Sequence, residues 1–191
     1  MLRSRALPAF VLPLAACAQL AGLDNTTKAA IDAPVVIDTP PVDTPPVDAA
    51  PCVGGDVRAT DQATGACYVF FLAPLTREDA RLSCLTLGAT TLLVSVNTVD
   101  ENTLVKQLIG NNLAFLGGTD AVTEGAYLWP DGTGLTFMNF NAGEPNNGNG
   151  AVEEDCLVMH GELGGTWDDR PCAPVGGIQV PGAYSYVCER D

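Results

Sequence analysis

Cysteine fixes more about this chain than any other residue type. Seven are present, at Cys17, Cys52, Cys67, Cys84, Cys156, Cys172 and Cys188, in 191 residues. That number suits an oxidising compartment and a disulfide framework. A zinc centre is a poor alternative, because the chain has no C-x-x-C pair and a single histidine, His160. From Cys52 onward the count is even, and six cysteines allow fifteen pairings that spacing alone cannot sort. The formal charge of −14 argues against nucleic acid, whose phosphates require clustered Lys and Arg. It is compatible with divalent cations.

The first residues read as an export signal. Met1 to Arg5 is a short basic region, and "ALPAFVLPLAA" is an apolar run too short to cross a bilayer as a helix. Leu14-Ala15-Ala16-Cys17 resembles the lipobox of bacterial lipoproteins. The resemblance implies a signal peptide over 1–16, lipidation of Cys17 and anchoring by several acyl chains. It also removes the odd cysteine from the disulfide count. Ala18 follows where Asp would favour inner-membrane retention, so the expectation is an outer-membrane or cell-surface lipoprotein. The alternative is a secreted protein cut after an A-x-A-like site at Ala16 to Ala18.

Residues 17–51 read as a lipid-anchored spacer. The unit D-T-P-P-V occurs twice within "KAAIDAPVVIDTPPVDTPPVDAAP". Proline fixes φ and removes donors, and the Asp residues repel one another, so an extended polyproline-like linker is expected. At about 3.1 Å per residue it would hold a domain some tens of ångströms from a membrane.

Residues 52–191 carry the pattern of a globular domain. "CYVFF" is a strand. Thr76 caps a helix whose apolar residues are Ala80, Leu82, Cys84, Leu85 and Leu87, ending at Gly88. "TLLVSV" is a second strand. Thr98-x-x-Glu101 is a capping box for a second helix, with Leu104, Val105, Leu108 and Ile109 apolar and Gly110 at its end. After that come short strands and Gly/Asn/Pro loops. Two helices followed by loops and strands make an α+β class.

Within these loops, "GEPNNGNGAVEEDC" and "WDDRPC" gather oxygen side chains with few basic partners. Calcium takes six to eight such oxygens. The run from Asn111 to Cys172 resembles the C-type lectin domain family. "AFLGG" stands where that family has W-I-G. "EGAYLWPDGTGLTFMNFNAGEPNN" matches its W-x-DG run into E-P-N, and "WDD" stands where many members have W-N-D. The resemblance covers about 52–191. It implies a C-type lectin-like fold, with two helices, small antiparallel sheets and a long calcium-binding loop region. It implies the disulfides Cys52–Cys67, Cys84–Cys188 and Cys156–Cys172.

It further implies Ca²⁺ held by Glu144, Asn146, Glu154, Asp168 and Asp169, with Pro145 in a cis peptide bond. An auxiliary calcium site would use Asp120, Glu124, Asn147 and Asp155, weakened because Asn147 stands where the best binders have Asp. Two sugar hydroxyls would enter open positions of the first ion. One would pair with Glu144 and Asn146 as acceptor and donor, the other with Glu154 and Asp168, of which Asp168 can only accept. The E-P-N order implies mannose, glucose, GlcNAc or fucose-type glycans. Asp168 replaces the commoner Asn, which raises the site's charge and removes a donor.

Trp129, Trp167, Phe115 and Phe140 are expected in the core, and His160 at an exposed strand end or loop. No nucleophilic relay accompanies that histidine. A glycosidase-like pair such as Glu144 and Asp169 would need one carboxyl buried and protonated, whereas this loop reads as hydrated. The expected role is therefore non-enzymatic: a calcium-dependent sugar-binding module on a bacterial surface. The alternative is a lectin-like adhesin or receptor domain that binds a protein partner without sugar.

Overall fold

Capping residues set both helices. A computed structural model describes residues 51–175 and 182–191. The leader 1–16, Cys17 and the linker up to residue 50 lie outside the described residues. Helix α1 is Arg77–Leu87; Thr76 Oγ1 accepts from Asp79 N, and the Gly88 N–H bonds Leu85 O. Helix α2 is Val99–Ile109; Thr98 accepts from Glu101 N, and Gly110, at φ 63°, bonds Lys106 O. A left-handed residue suits glycine there because it has no Cβ. In α1, Ala80 and Cys84 are buried but Leu82 is 48% exposed. Leu82 lies two residues from each, so the 3.6-residue period turns it to the opposite face, against expectation.

The strands are β1 (Val57–Thr60), β2 (Cys67–Leu75), β3 (Leu92–Leu93), β4 (Leu113–Thr119), β5 (Cys156–His160), β6 (Thr166–Arg170) and β7 (Tyr184–Arg190). They form one sheet in the order β1-β2-β7-β4-β5-β6, with β3 also on β7. Pairing is antiparallel throughout except for β4 with β7, which is parallel. "TLLVSV" gives only the two-residue β3. Beyond it, Val94 donates to Val187 O and accepts from Gly117 N, so it bridges β7 and β4 instead of extending one ladder.

Alternation along the strands divides the core in two. Tyr68, Phe70, Leu157, Met159 and Val187 pack in one cluster with Val105, Leu108 and Ile109 of α2. Val69, Val158, Tyr186 and Cys188 pack in the other with Ala80 and Cys84 of α1. Both faces of the sheet are thus covered. The disulfides are Cys52–Cys67, Cys84–Cys188 and Cys156–Cys172, the pairs the resemblance implies. They tie the entry to β2, α1 to β7, and the start of β5 to the residues after β6. No helix among the described residues is long and apolar enough to cross a membrane.

Candidate metal and ligand site

The site grows from β6. Trp167 is fully buried and its indole N–H donates to Asn102 Oδ1 on α2 at 2.8 Å. Phe137, Phe140 and Trp129 meet its ring edge to face, at 5.6 to 5.9 Å between centroids. Its backbone N–H donates to Asn139 O and its carbonyl accepts from Asn141 N, both at 2.8 Å. The loop leading to Glu144 is therefore fastened to the strand that carries Asp168 and Asp169. Trp129 and Phe115 are buried as expected, whereas Phe140 is partly exposed and lines a cavity.

After that loop, the Glu144–Pro145 peptide bond is cis. Asn146 Nδ2 donates to the Glu144 carboxylate. The 3₁₀ turn Asn147–Gly150 follows, and Asn147, Gly148, Asn149 and Gly150 all have positive φ. Asn and Gly are the residues that enter this region at least cost. The turn wraps two carboxylates. Asn146 N and Asn147 N donate to Asp169 at 3.0 and 2.6 Å, and Gly148 N donates to Glu154 Oε2 at 2.7 Å.

Carboxylate oxygens of Glu144, Asp168 and Asp169 lie within 4.8 Å of one another. Asp168 and Asp169 are almost wholly buried and Glu144 is half-buried. Burial, then the Asp168 charge, raises the Glu144 carboxyl above its ordinary range; Asp169 adds to this and the Asn146 bond opposes it. Glu154 is buried but stands outside this group of three. Its carboxyl is also raised, chiefly by burial, against the lowering effect of the Gly148 bond. Three clustered carboxylates make an all-oxygen donor set, which fits a hard cation such as Ca²⁺ and not a soft one; Asn146 turns its NH2 to Glu144, while its Oδ1 accepts from Asn149 N at 2.9 Å.

Asp168 differs from expectation. Its Oδ2 contacts Arg170 Nη2 at 2.5 Å and His160 Nε2 at 3.1 Å. The extra negative charge expected from Asp in place of Asn is thus met locally by a guanidinium. His160 does end a strand, but its side chain is only 13% exposed and faces the site. Its position at the end of β5, opposite Thr166 in the β6 register, places it beside Asp168.

The auxiliary residues are arranged differently. Glu124, Asp155 and Glu153 form a second group with oxygens within 4.8 Å. Glu153 was not expected; the signal was its place in the Glu153-Glu154-Asp155 run. Asp155 is raised by burial, then by Asp120 and Glu153. Asn147 is engaged elsewhere: its Oδ1 accepts from Glu154 N, and its Nδ2 donates to Glu153. Asp120 stands outside that group, 3% exposed, with Oδ2 on Gly125 N and Oδ1 buried without a hydrogen-bond partner. An orphaned buried carboxylate oxygen fits a cation beside it. One cavity of about 260 Å³ joins Asp120, Glu124, Asn146, Asn147 and Asp169.

Comparison with known proteins agrees with this fold. The family described as "Lectin C-type domain" matches residues 73–178. Human C-type mannose receptor 2 is 32% identical over 133 residues, 68% of this chain but 8% of that receptor's length. The chain is therefore similar to a small part of a much larger protein. Among solved structures, the C-type carbohydrate-recognition domain of cow CD23, crystallised in the presence of GlcNAc2Man3 oligosaccharide, is 25% identical. It has a TM-score of 0.59 and covers 72% of this chain and 95% of that one. A Ca²⁺-dependent type II antifreeze protein in its Ca²⁺-free form is 26% identical, also at 0.59, covering 72% of this chain and 100% of its own. The chain belongs to the C-type lectin domain family.

Proposed function

We propose that this protein is a calcium-dependent sugar-binding module for mannose-type glycans. The observation that carries the reading is the meeting of Glu144, Asp168 and Asp169 within 4.8 Å, beside the Glu144-Pro145-Asn146 peptide. Calcium would be held by these residues with Asn146 and Glu154. When bound, it would supply open coordination positions for two neighbouring hydroxyls. The protein's part is to orient those hydroxyls: carboxylates of Glu144 and Glu154 accept their protons, and the Asn146 amide donates to their lone pairs. Asp168 accepts only, so one donor of the usual set is lacking. Asp120, Glu124 and Asp155 would serve a second ion, with Glu153 in addition and Asn147 contributing least.

Lipidation at Cys17 would hold this module at a bacterial outer membrane or cell surface, with residues 17–51 as its spacer. A single open site of this kind binds a monosaccharide weakly, and many copies on one membrane would supply avidity toward a multivalent glycan. The test is calorimetric titration of Ca²⁺ into chelator-stripped protein, with and without mannose. Saturable Ca²⁺ binding that tightens with mannose is expected, because linkage between two ligands is reciprocal. Ca²⁺ binding indifferent to any sugar would favour the protein-binding adhesin. No binding at millimolar Ca²⁺ would remove the lectin mechanism.

A further inference from the structure

Beside the acidic cavity lies another of about 320 Å³ whose lining includes no charged residue. Its side-chain walls are Tyr127, Leu135, Met138, Phe140 and Pro145. Gly125, Tyr127 and Pro145 line both cavities, and Pro145 is bonded directly to Glu144 and Asn146. The apolar cavity therefore adjoins the acidic cavity that Asn146 and Asp169 of the candidate site line together with Asp120 and Glu124. Three of its walls are fixed. Leu135 and Phe140 pack on the core cluster that includes Tyr127, and the Phe140 ring sits 5.9 Å from both Tyr127 and Trp167. Met138 is different: it is 63% exposed, a large apolar side chain on the surface of a chain with net charge −14. A flexible thioether at the rim adapts to hydrocarbon of varied shape.

We propose that the ligand of this site is a glycoside whose anomeric substituent is an uncharged hydrocarbon group, with the sugar at the acidic cluster and the hydrocarbon in the Tyr127–Met138 cavity. This rests on the sugar-binding reading and adds to it the class of aglycone. An anionic substituent would be repelled by the surrounding carboxylates. A strongly polar one would leave the apolar walls unused.

The experiment compares methyl α-mannoside with octyl α-mannoside, both below micelle-forming concentration, by calorimetry on the calcium-loaded full chain. Octyl α-mannoside should bind about tenfold more tightly, the gain from burying about two methylenes. In Met138→Asp the ratio should fall to within about twofold, and Met138→Leu should restore it. The ratio is internal to each variant, so a general loss of folding does not imitate the result. Equal affinities in the unaltered protein, with methyl α-mannoside still bound, would overturn the aglycone site and leave sugar binding standing. An octyl advantage that survives Met138→Asp would overturn the cavity as its seat. Failure of both glycosides to bind calcium-loaded protein would overturn sugar binding and the aglycone site together.

Discussion

Asp168 meets a guanidinium and an imidazole through a single oxygen, Oδ2. Asp168 also belongs to the cluster with Glu144 and Asp169. Asp168→Asn would deprive Arg170 of its ion-pair partner while keeping the side chain's shape. The Arg170 side chain is 37% exposed, so water repairs part of the loss. A destabilisation of about 1–2 kcal/mol is expected for the metal-free protein in urea melts, at the lower end for a broken charged hydrogen bond. A change near zero would mean the pair behaves as a surface ion pair. The Asp at position 168 was readable in the sequence, and so was its departure from Asn. Its partners were not, because Arg170 and His160 reach it only once β5 and β6 pair. Glu153 is hidden in the sequence for a similar reason: three successive acids offer no local sign of which carboxylates turn to one ion.

One phenol links helix α2 to strand β2. Tyr68 OH on β2 lies 3.4 Å from Glu101 Oε1, and Glu101 Oε2 accepts from Asn97 N at 2.7 Å. Glu189 on β7 acts on the same phenol, and its Oε2 accepts from Ser95 N at 2.9 Å. A phenol has one proton to give, and here two carboxyl groups face it. Burial, supported by Asp191 and Glu101, pushes Glu189 up to about 7, against the lowering effect of its Ser95 and Tyr68 bonds. Burial and the two carboxylates push Tyr68 up as well. Because the folded carboxyl holds its proton more tightly than the unfolded one, its ionisation opposes folding. The penalty is absent below the ordinary carboxyl value near 4.5, grows as pH rises toward 7, and then levels off at roughly 3 kcal/mol. Glu189→Gln should therefore gain stability over the unaltered protein as pH rises from 4.5 to 7.5, with little difference at the acid end. Denaturant melts across that range would read the difference, and a flat one would mean Glu189 is fully solvated. The two helices themselves were legible, because Thr76, Gly88, Thr98 and Gly110 are local signals. Strands β1 and β3 were not legible at their true extents. Each has a length set by its partner, β2 or β7, and carries no pattern of its own.

Two of the three disulfides close separations of 15 and 16 residues, and the third a much longer one. Cys84–Cys188 closes a separation of 104 residues. Replacing both cysteines with alanine should cost about 4–5 kcal/mol, the upper end expected for a loop of that length. Thermal melting of the double variant would measure it, and a loss under about 1 kcal/mol would mean that the packing of α1 on β7 holds without the bond. The α+β class and the ordered loop motifs were visible in the sequence through the family resemblance. The single sheet with its parallel β4–β7 pair was not, since residues 113 and 184 lie too far apart for any local pattern to pair them.

The sheet order has a mechanical meaning. Strand β1 stands at one edge of the sheet and β6, with Asp168 and Asp169, at the other. Pro51, the first of the described residues, accepts a hydrogen bond from Arg190 at the end of β7. A pull between Pro51 and the candidate site would load the domain across its strands, from the β1 side to the β6 side. Cys52–Cys67 passes that load directly to β2 and spares the 15-residue segment it closes. Cys84–Cys188 then couples α1 to β7, and Cys156–Cys172 shuts the loop behind β6. The bridges thus shorten the chain that such a load could draw out, because its covalent path need not run through residues 52–67 or the whole 84–188 loop.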